Sequence, residues 1–166
     1  MKLSLIVPCY NEVDNVRKLQ DELLPVVEEI TVHGWKNTPE KVYTAEVIFV
    51  DDGSWDDTYS RLKECFGGKN DSGVTFKFLQ HPTNLGLGAA IRTGFSSADG
   101  DIVVTVDSDG TYKFSEIPSL LTYLTPEIGI VTASPYHPNG NVVGVPAYRL
   151  LLSRGSSLLY RILLDW

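Results

Sequence analysis

Only two cysteines, Cys9 and Cys65, stand in the chain, far apart and in no metal-ligand spacing. That excludes a disulfide scaffold and a zinc-knuckle site, and it reads as two small buried side chains in a reducing compartment. No uninterrupted apolar run approaches the eighteen or so residues of a membrane span, and the first apolar run begins at Leu3 as a strand pattern rather than a signal peptide. Basic residues are also short. Lys and Arg total 14 against 21 Asp and Glu, a formal net charge of −7, which argues against nucleic acid as a partner. Beyond Lys113 there is no further lysine and no pair of neighbouring acids. After Glu127 the only acid is Asp165, while Arg149, Arg154 and Arg161 all fall in that tail, so the end of the chain is basic and the rest acidic.

What is present reads as one domain, 1–166, with 43% apolar residues, enough for a single core. Leu3–Val7, Glu46–Val50, Val74–Leu79, Ile102–Val106 and Ile128–Thr132 are short apolar or β-branched runs. Helical periodicity marks Val13–Ile30, Asp57–Phe66, Gly88–Ala98, Ser115–Leu124 and Ala147–Leu164. In the first of these Val16, Leu19, Leu23 and Val27 form one stripe at spacings of three and four. The alternation predicts an α/β fold, a mainly parallel sheet flanked by helices. Thr31–Ala45 and Gly67–Gly73 read as surface insertions.

In such a sheet, ligands bind beyond the carboxyl ends of the strands, and every polar cluster of this chain falls at one of those ends. Asp107-Ser108-Asp109-Gly110-Thr111 follows the fourth run. Two carboxylates two positions apart on a strand lie on one face, so both can reach one cation, and Gly110 supplies the turn that ends the run. A hard divalent cation, Mg²⁺ or Mn²⁺, held there would neutralise a diphosphate. Asp51-Asp52-Gly53-Ser54 follows the second run, where adjacent acids repel unless something bonds them; one of the pair is placed to accept from a nucleobase N–H. Pro8-Cys9-Tyr10-Asn11-Glu12 follows the first run. Each of the last two clusters also has a plainer reading, with Asn11 capping the first helix and Asp56 with Thr58 capping the second. Gly86-Leu87-Gly88 opens a helix whose first N–H groups can face an anion, with Arg92 one turn in to add charge, or is simply a tight turn with close helix packing; as a dinucleotide fingerprint the segment lacks its third glycine.

Taken together, Val7-Pro8-Cys9-Tyr10-Asn11-Glu12, Val50-Asp51-Asp52-Gly53-Ser54, Asn84-Leu85-Gly86-Leu87-Gly88-Ala89-Ala90-Ile91-Arg92-Thr93-Gly94-Phe95, Asp107-Ser108-Asp109 and Tyr148-Arg149 through Ser153-Arg154-Gly155 make the chain resemble the family 2 glycosyltransferases of the GT-A fold. Within them it resembles the dolichol-phosphate and polyprenyl-phosphate mannosyl- and glucosyltransferases. The resemblance implies that Pro8, Tyr10, Glu12 and Asp52 line a nucleoside pocket and that Asp107 and Asp109 bind metal and diphosphate. It also implies that Arg149 and Ser153, one helical turn apart, hold the acceptor phosphate. The leucines around them suit a helix at an anionic membrane surface, and hence a peripheral position at the cytosolic face. Two departures stand out. Gly110-Thr111 replaces the Leu-Gln that usually follows the metal pair, and Ser134-Pro135-Tyr136-His137 replaces a Ser-Arg-Tyr, so a second phosphate-binding arginine is missing from its expected place, with His137 as a substitute for it.

The expected reaction is an inverting transfer of a hexose from GDP-mannose, UDP-glucose or a similar donor to a polyprenyl or dolichyl phosphate. An ionised phosphate needs no general base, and the tail offers only Asp165 as one. Resembling enzymes continue with further acceptor-side elements. A non-catalytic nucleotide-sugar-binding module acting with a partner is therefore a second expectation, and a haloacid-dehalogenase-like phosphatase, which shares Asp-x-Asp-Gly-Thr, a third. The phosphatase would need a later lysine and acidic pair that the chain lacks. Oligomeric state leaves no mark on the sequence.

Overall fold

A computed structural model describes residues 1–35, 44–68 and 73–134, with 148, 152, 155–156, 158–160 and 163 beyond them. Two compact units divide the chain, Met1–Val131 and Thr132–Trp166. In the first, strands β1 (Lys2–Cys9), β2 (Thr44–Asp51), β3 (Val74–Gln80) and β4 (Ile102–Thr105) form one sheet in the order β3-β2-β1-β4. All three pairings are parallel, as the strand–helix alternation predicts. The central strands β1 and β2 are buried almost throughout, so they read as near-continuous apolar runs, while the edge strands β3 and β4 are only half-buried.

Two cores cover the two faces. Leu3, Leu5, Val7, Val47 and Phe49 meet the stripe Val16, Leu19, Leu23, Val27 and Ile30, together with Leu62 and Phe66. Phe49 packs at ring-centroid distances of 4.8 Å from Phe66, 5.8 Å from Phe78 and 6.4 Å from Phe76, each pair adding about 0.5–1.5 kcal/mol beyond area burial. On the opposite face Ile6, Ile48, Val50 and Ala90 form the smaller core under α4 (Leu87–Ser97).

The first helical stretch begins at the predicted Val13 and runs to His33, in pieces: a 3-10 turn Val13–Asn15, α1 (Val16–Lys18), a π turn Leu19–Leu23 and α2 (Leu24–His33). Pro25 has no N–H to return to the preceding turn, and the helix widens immediately before it. Thr31–His33, placed in a loop from the sequence, complete α2; residues 36–43 and 69–72 of the two expected insertions lie outside the described residues. The helix α3 (Thr58–Phe66) matches its prediction, and Ser115–Leu124 resolves into a 3-10 turn Phe114–Glu116 and a short α5 (Ile117–Leu121).

The strand expected at Ile128–Thr132 does not form. Thr125 and Ile128 instead close a tight turn through reciprocal backbone bonds of 3.4 and 3.0 Å, and Ile130 is 84% exposed. An apolar run becomes a strand only where a partner edge meets it, and among the described residues none does. Most of Ala147–Leu164 lies outside the described residues; those described within it are helical.

Glu46, at the start of the predicted second run, is completely buried on the α4 face. Its carboxylate accepts from Lys2 Nζ at 2.7 Å, Ser4 Oγ at 2.5 Å and the Asp99 N–H at 2.7 Å, with Lys77 Nζ at 3.0 Å. Burial pushes its pKa up, but the Asp99 N–H, Lys2, Ser4 and Lys77 outweigh burial and bring it to about 2, from an ordinary 4.5. A depressed carboxylate stabilises the fold above its unfolded pKa and loses that contribution as pH falls. Acid titration should therefore remove up to about 3 kcal/mol between pH 4.5 and 2, read as a falling urea midpoint; Glu46→Gln should flatten that part of the profile.

Candidate active site at the carboxyl ends of the strands

In the order β3-β2-β1-β4 the chain runs outward from β1 to β2 and β3 and returns to β4 on the other side of β1, so the strand order reverses between β1 and β4 and a crevice opens beyond their carboxyl ends. A cavity of about 420 Å³ occupies this place, lined by Pro8, Cys9, Tyr10, Glu12, Asp52, Asn84, Gly86, Leu87, Ala90, Asp107, Ser108 and Asp109. Six residues singled out in the sequence, Pro8, Tyr10, Glu12, Asp52, Asp107 and Asp109, thus share one wall system. Arg92 is exposed on α4 and is not part of the lining. Arg149 and Ser153 lie outside the described residues, as does His137.

The loops after β1 and β2 are stapled together. Asn11 N–H donates to Ser54 Oγ at 2.9 Å, Trp55 N–H to Asn11 Oδ1 at 3.0 Å, Glu12 N–H to Thr58 Oγ1 at 2.8 Å, and Asp52 N–H to the Cys9 carbonyl at 2.8 Å. Asn11 therefore does not cap the first helix; at φ 55° it turns the chain and holds the neighbouring loop. Asp56 receives the Thr58 N–H at 3.0 Å, but the N-cap of the second predicted helix, α3, is Asp57, whose side chain makes no capping bond, and Thr58 Oγ1 is taken by the Glu12 N–H.

Asp51 and Asp52 escape mutual repulsion because adjacent strand positions face opposite sides of the sheet. Asp51 Oδ2 accepts from Gln80 Nε2 at 3.0 Å and Ser54 N–H at 3.3 Å, while its Oδ1 is buried with no partner. Asp52 is fully engaged: Oδ1 accepts from His81 Nδ1 at 2.6 Å and Leu85 N–H at 3.0 Å, and Oδ2 from Gly86 N–H at 2.8 Å. Burial raises its pKa, but the His81 bond and the two amides prevail and hold it below the usual carboxylate range. The anion at the start of α4 is thus the protein's own Asp52. At Gly53, φ 70°, an added Cβ would lie 2.3 Å from the Thr83 carbonyl carbon, so only glycine lets the two loops meet backbone to backbone.

At β4 the chain leaves the sheet after Thr105 and turns at Ser108–Asp109, bringing both carboxylates to the cavity. Gly110, φ 64°, completes the turn under Lys18, whose Cε would lie 2.7 Å from a Cβ there. Lys18 Nζ donates to the Asp109 carbonyl at 2.7 Å, a contact with no signal in the sequence. Thr111 donates its N–H to Asp109 Oδ1 at 2.8 Å and its hydroxyl to Oδ2 at 2.7 Å. The Thr111 N–H is the main cause holding the Asp109 pKa down, with its hydroxyl and Lys18 adding to it against partial burial. Asp107 shifts the other way, raised first by burial and then by the charge of Asp109, and it has no hydrogen-bond partner among the described residues. A cation between them would relieve that repulsion, and two carboxylates are the hard oxygen donors Mg²⁺ and Mn²⁺ take. No group of three or more His, Cys, Asp or Glu among the described residues is arranged to hold a metal, so further ligands would come from substrate oxygens or water. Burial pushes the Cys9 thiol up, as do Glu12 and Asp51, so Cys9 is a wall and not a nucleophile.

A family model, "Glycosyl transferase family 2", matches residues 4–163. A dolichol-phosphate mannosyltransferase of Pyrococcus furiosus is 29% identical over 164 residues, 99% of this chain and 42% of that protein. A dolichyl-phosphate beta-glucosyltransferase of Drosophila melanogaster is 33% identical over 96% of this chain and 48% of its own length. The chain therefore spans less than half the length of these curated relatives. Among solved structures, a mannosyltransferase from Pyrobaculum calidifontis in complex with GDP-Man and Mn²⁺ superimposes with a TM-score of 0.55 at 24% identity, covering 76% of this chain and 33% of that one. That likeness carries the fold, GT-A.

Proposed function

The chain belongs to glycosyl transferase family 2, and from that premise we propose that it moves a hexose from a nucleotide-diphosphate sugar to a polyprenyl or dolichyl phosphate, with inversion at the anomeric carbon. One observation carries the reading: the cavity between the β1 and β4 loops joins the Asp107–Asp109 pair to Pro8, Tyr10, Glu12 and Asp52. Tyr10 and Pro8 offer apolar surface to a nucleobase, and Asp52 holds the backbone at Leu85 and at Gly86, which lines the same cavity. Asp107 and Asp109 would hold Mg²⁺ or Mn²⁺, which supplies neutralisation of the departing nucleoside diphosphate. The remaining work is positioning. An acceptor phosphate, ionised at neutral pH, attacks without a base, in keeping with a cavity whose carboxylates are engaged or paired.

GDP-mannose and UDP-glucose are the donors to try first, being a purine and a pyrimidine form of the same chemistry. The acceptor is a lipid, so the working position is at a membrane surface on the cytosolic side. No helix among the described residues is long and apolar enough to cross the membrane, and the leucines flanking Arg149 supply the contact with it. Family membership removes the phosphatase alternative. Transfer of radiolabelled sugar to a polyprenyl phosphate in detergent, with Mn²⁺ or Mg²⁺, tests the reading. Metal-dependent donor binding with no transfer to any lipid phosphate would instead favour a binding module.

Arg149→Ala should leave donor affinity within about twofold and lower kcat/KM for the lipid phosphate at least about tenfold, the loss of a charge-assisted bond. Equal losses on both substrates would remove Arg149 from the acceptor side.

A further inference from the structure

Between the cavity and the far end of β3 lies a polar chain that the proposed reaction does not use. His81 follows β3, and its backbone N–H donates to the Asp51 carbonyl at 2.8 Å, which continues the β2–β3 ladder and fixes the base of the side chain. Its ring is nearly buried, 10% exposed, against Asp52 at 4%. Nδ1 lies 2.6 Å from Asp52 Oδ1 and Nε2 lies 2.9 Å from Thr93 Oγ1, one turn and a half into α4. Both ring nitrogens are used. With Asp52 ionised, Nδ1 carries the proton that its bond needs. One imidazole thus ties β3, the end of β2 and α4 together.

What this ring holds is a cavity wall. Asp52 passes the constraint on through the Leu85 and Gly86 N–H groups, and Asn84, Gly86, Leu87 and Ala90 form the α4 side of the cavity. The loop they sit on meets the Gly53 loop backbone to backbone, and the Asp52 carboxylate, itself held by His81, ties the two through the Leu85 and Gly86 amides.

We propose that His81 is a positioning residue for donor binding: through Asp52 it sets the Asn84–Gly86 backbone, and with it the width of the cavity. The proposal rests on the reading of this cavity as the nucleotide-sugar site. His81 touches no reacting atom, so its removal raises the donor KM and leaves kcat nearly unchanged, because the metal pair and the acceptor side are intact.

Calorimetric titration of the full chain with GDP-mannose and with UDP-glucose in Mn²⁺, alongside steady-state transfer to a polyprenyl phosphate, tests this in four forms of the protein. His81→Ala should weaken donor binding about tenfold, the loss of one hydrogen bond to a charged group, with kcat within about twofold. Asn carries an N–H near the Nδ1 position and Gln one near Nε2, so His81→Asn should restore affinity to within about threefold of the native chain and His81→Gln should not. That contrast stands even if the alanine variant fails to fold. A merely structural histidine would lower the melting temperature of the variants without separating Asn from Gln in affinity, or would lower kcat and donor affinity together; either result overturns the proposal while the proposed function stands. If the native chain binds neither donor, the proposed function falls and the assignment of His81 falls with it.

Discussion

Asp109→Asn is expected to lower kcat/KM for the donor about 100- to 1000-fold and to remove the metal dependence of donor binding, while leaving the melting temperature almost unchanged. The size follows from what the carboxylate does. A metal-held diphosphate concentrates the charge that leaves with the nucleoside, and losing one anionic ligand removes stabilisation where charge develops, of order 3–4 kcal/mol. Asparagine keeps one oxygen to accept from Thr111 and is of the same size, so the turn at Ser108–Asp109 survives. Asp109 is exposed, and the change also relieves its repulsion of Asp107, so stability should move by no more than about 0.5 kcal/mol. Asp107→Asn should behave alike. A variant that folds and keeps metal-dependent affinity would show that the pair does not hold the cation.

The second large effect lies at the other end of the sheet. Glu46→Ala should destabilise the fold by about 3–5 kcal/mol, measured by urea denaturation at neutral pH. Glu46 is entirely buried and gathers Lys2, Ser4, Lys77 and the Asp99 N–H. Removing it takes the acceptor from the Ser4 hydroxyl and the Asp99 amide, leaves two half-buried ammonium groups short of a partner, and opens a void beneath α4. Lys77 retains Asp99 at 2.6 Å, which limits the loss on its side. Donor affinity of the folded fraction should be unchanged, since the cluster sits at the amino ends of the strands. A loss under about 1 kcal/mol would mean that water reaches the cluster and takes over the partners of Glu46.

These two sites differ in how well the sequence announces them. The four parallel strands and most helices are legible because a strand buried on both faces reads as a β-branched run and a helix packed on it as a stripe. Asp107, Asp109, Asp52, Tyr10 and Glu12 are legible because polar residues clustered at strand ends are where open α/β sheets bind ligands. Where the reading fails, the cause is a partner distant in sequence. Ile128–Thr132 has strand composition and no neighbouring strand among the described residues to pair with. Lys18 reaches a carbonyl 91 residues away, and nothing in a helix of mixed polarity marks one lysine from another. Glu46 looks like the polar edge of a strand and is completely buried, because its partners come from β1, β3 and the loop before β4. His81 is visible as a residue after a strand, but its bond to Asp52 spans 29 residues and only the folded chain shows that the amides of the α4 loop are already taken. The π turn before Pro25 follows from a proline that the stripe alone hides.

Titrating the full chain with GDP-mannose and UDP-glucose by calorimetry, first with Mn²⁺ and then with EDTA, tests the central claim most directly. Saturable one-to-one binding of at least one donor that is lost in EDTA and lost in Asp109→Asn is the predicted result. Binding of equal strength in EDTA, or none under either condition, would contradict a metal-diphosphate site at the end of β4.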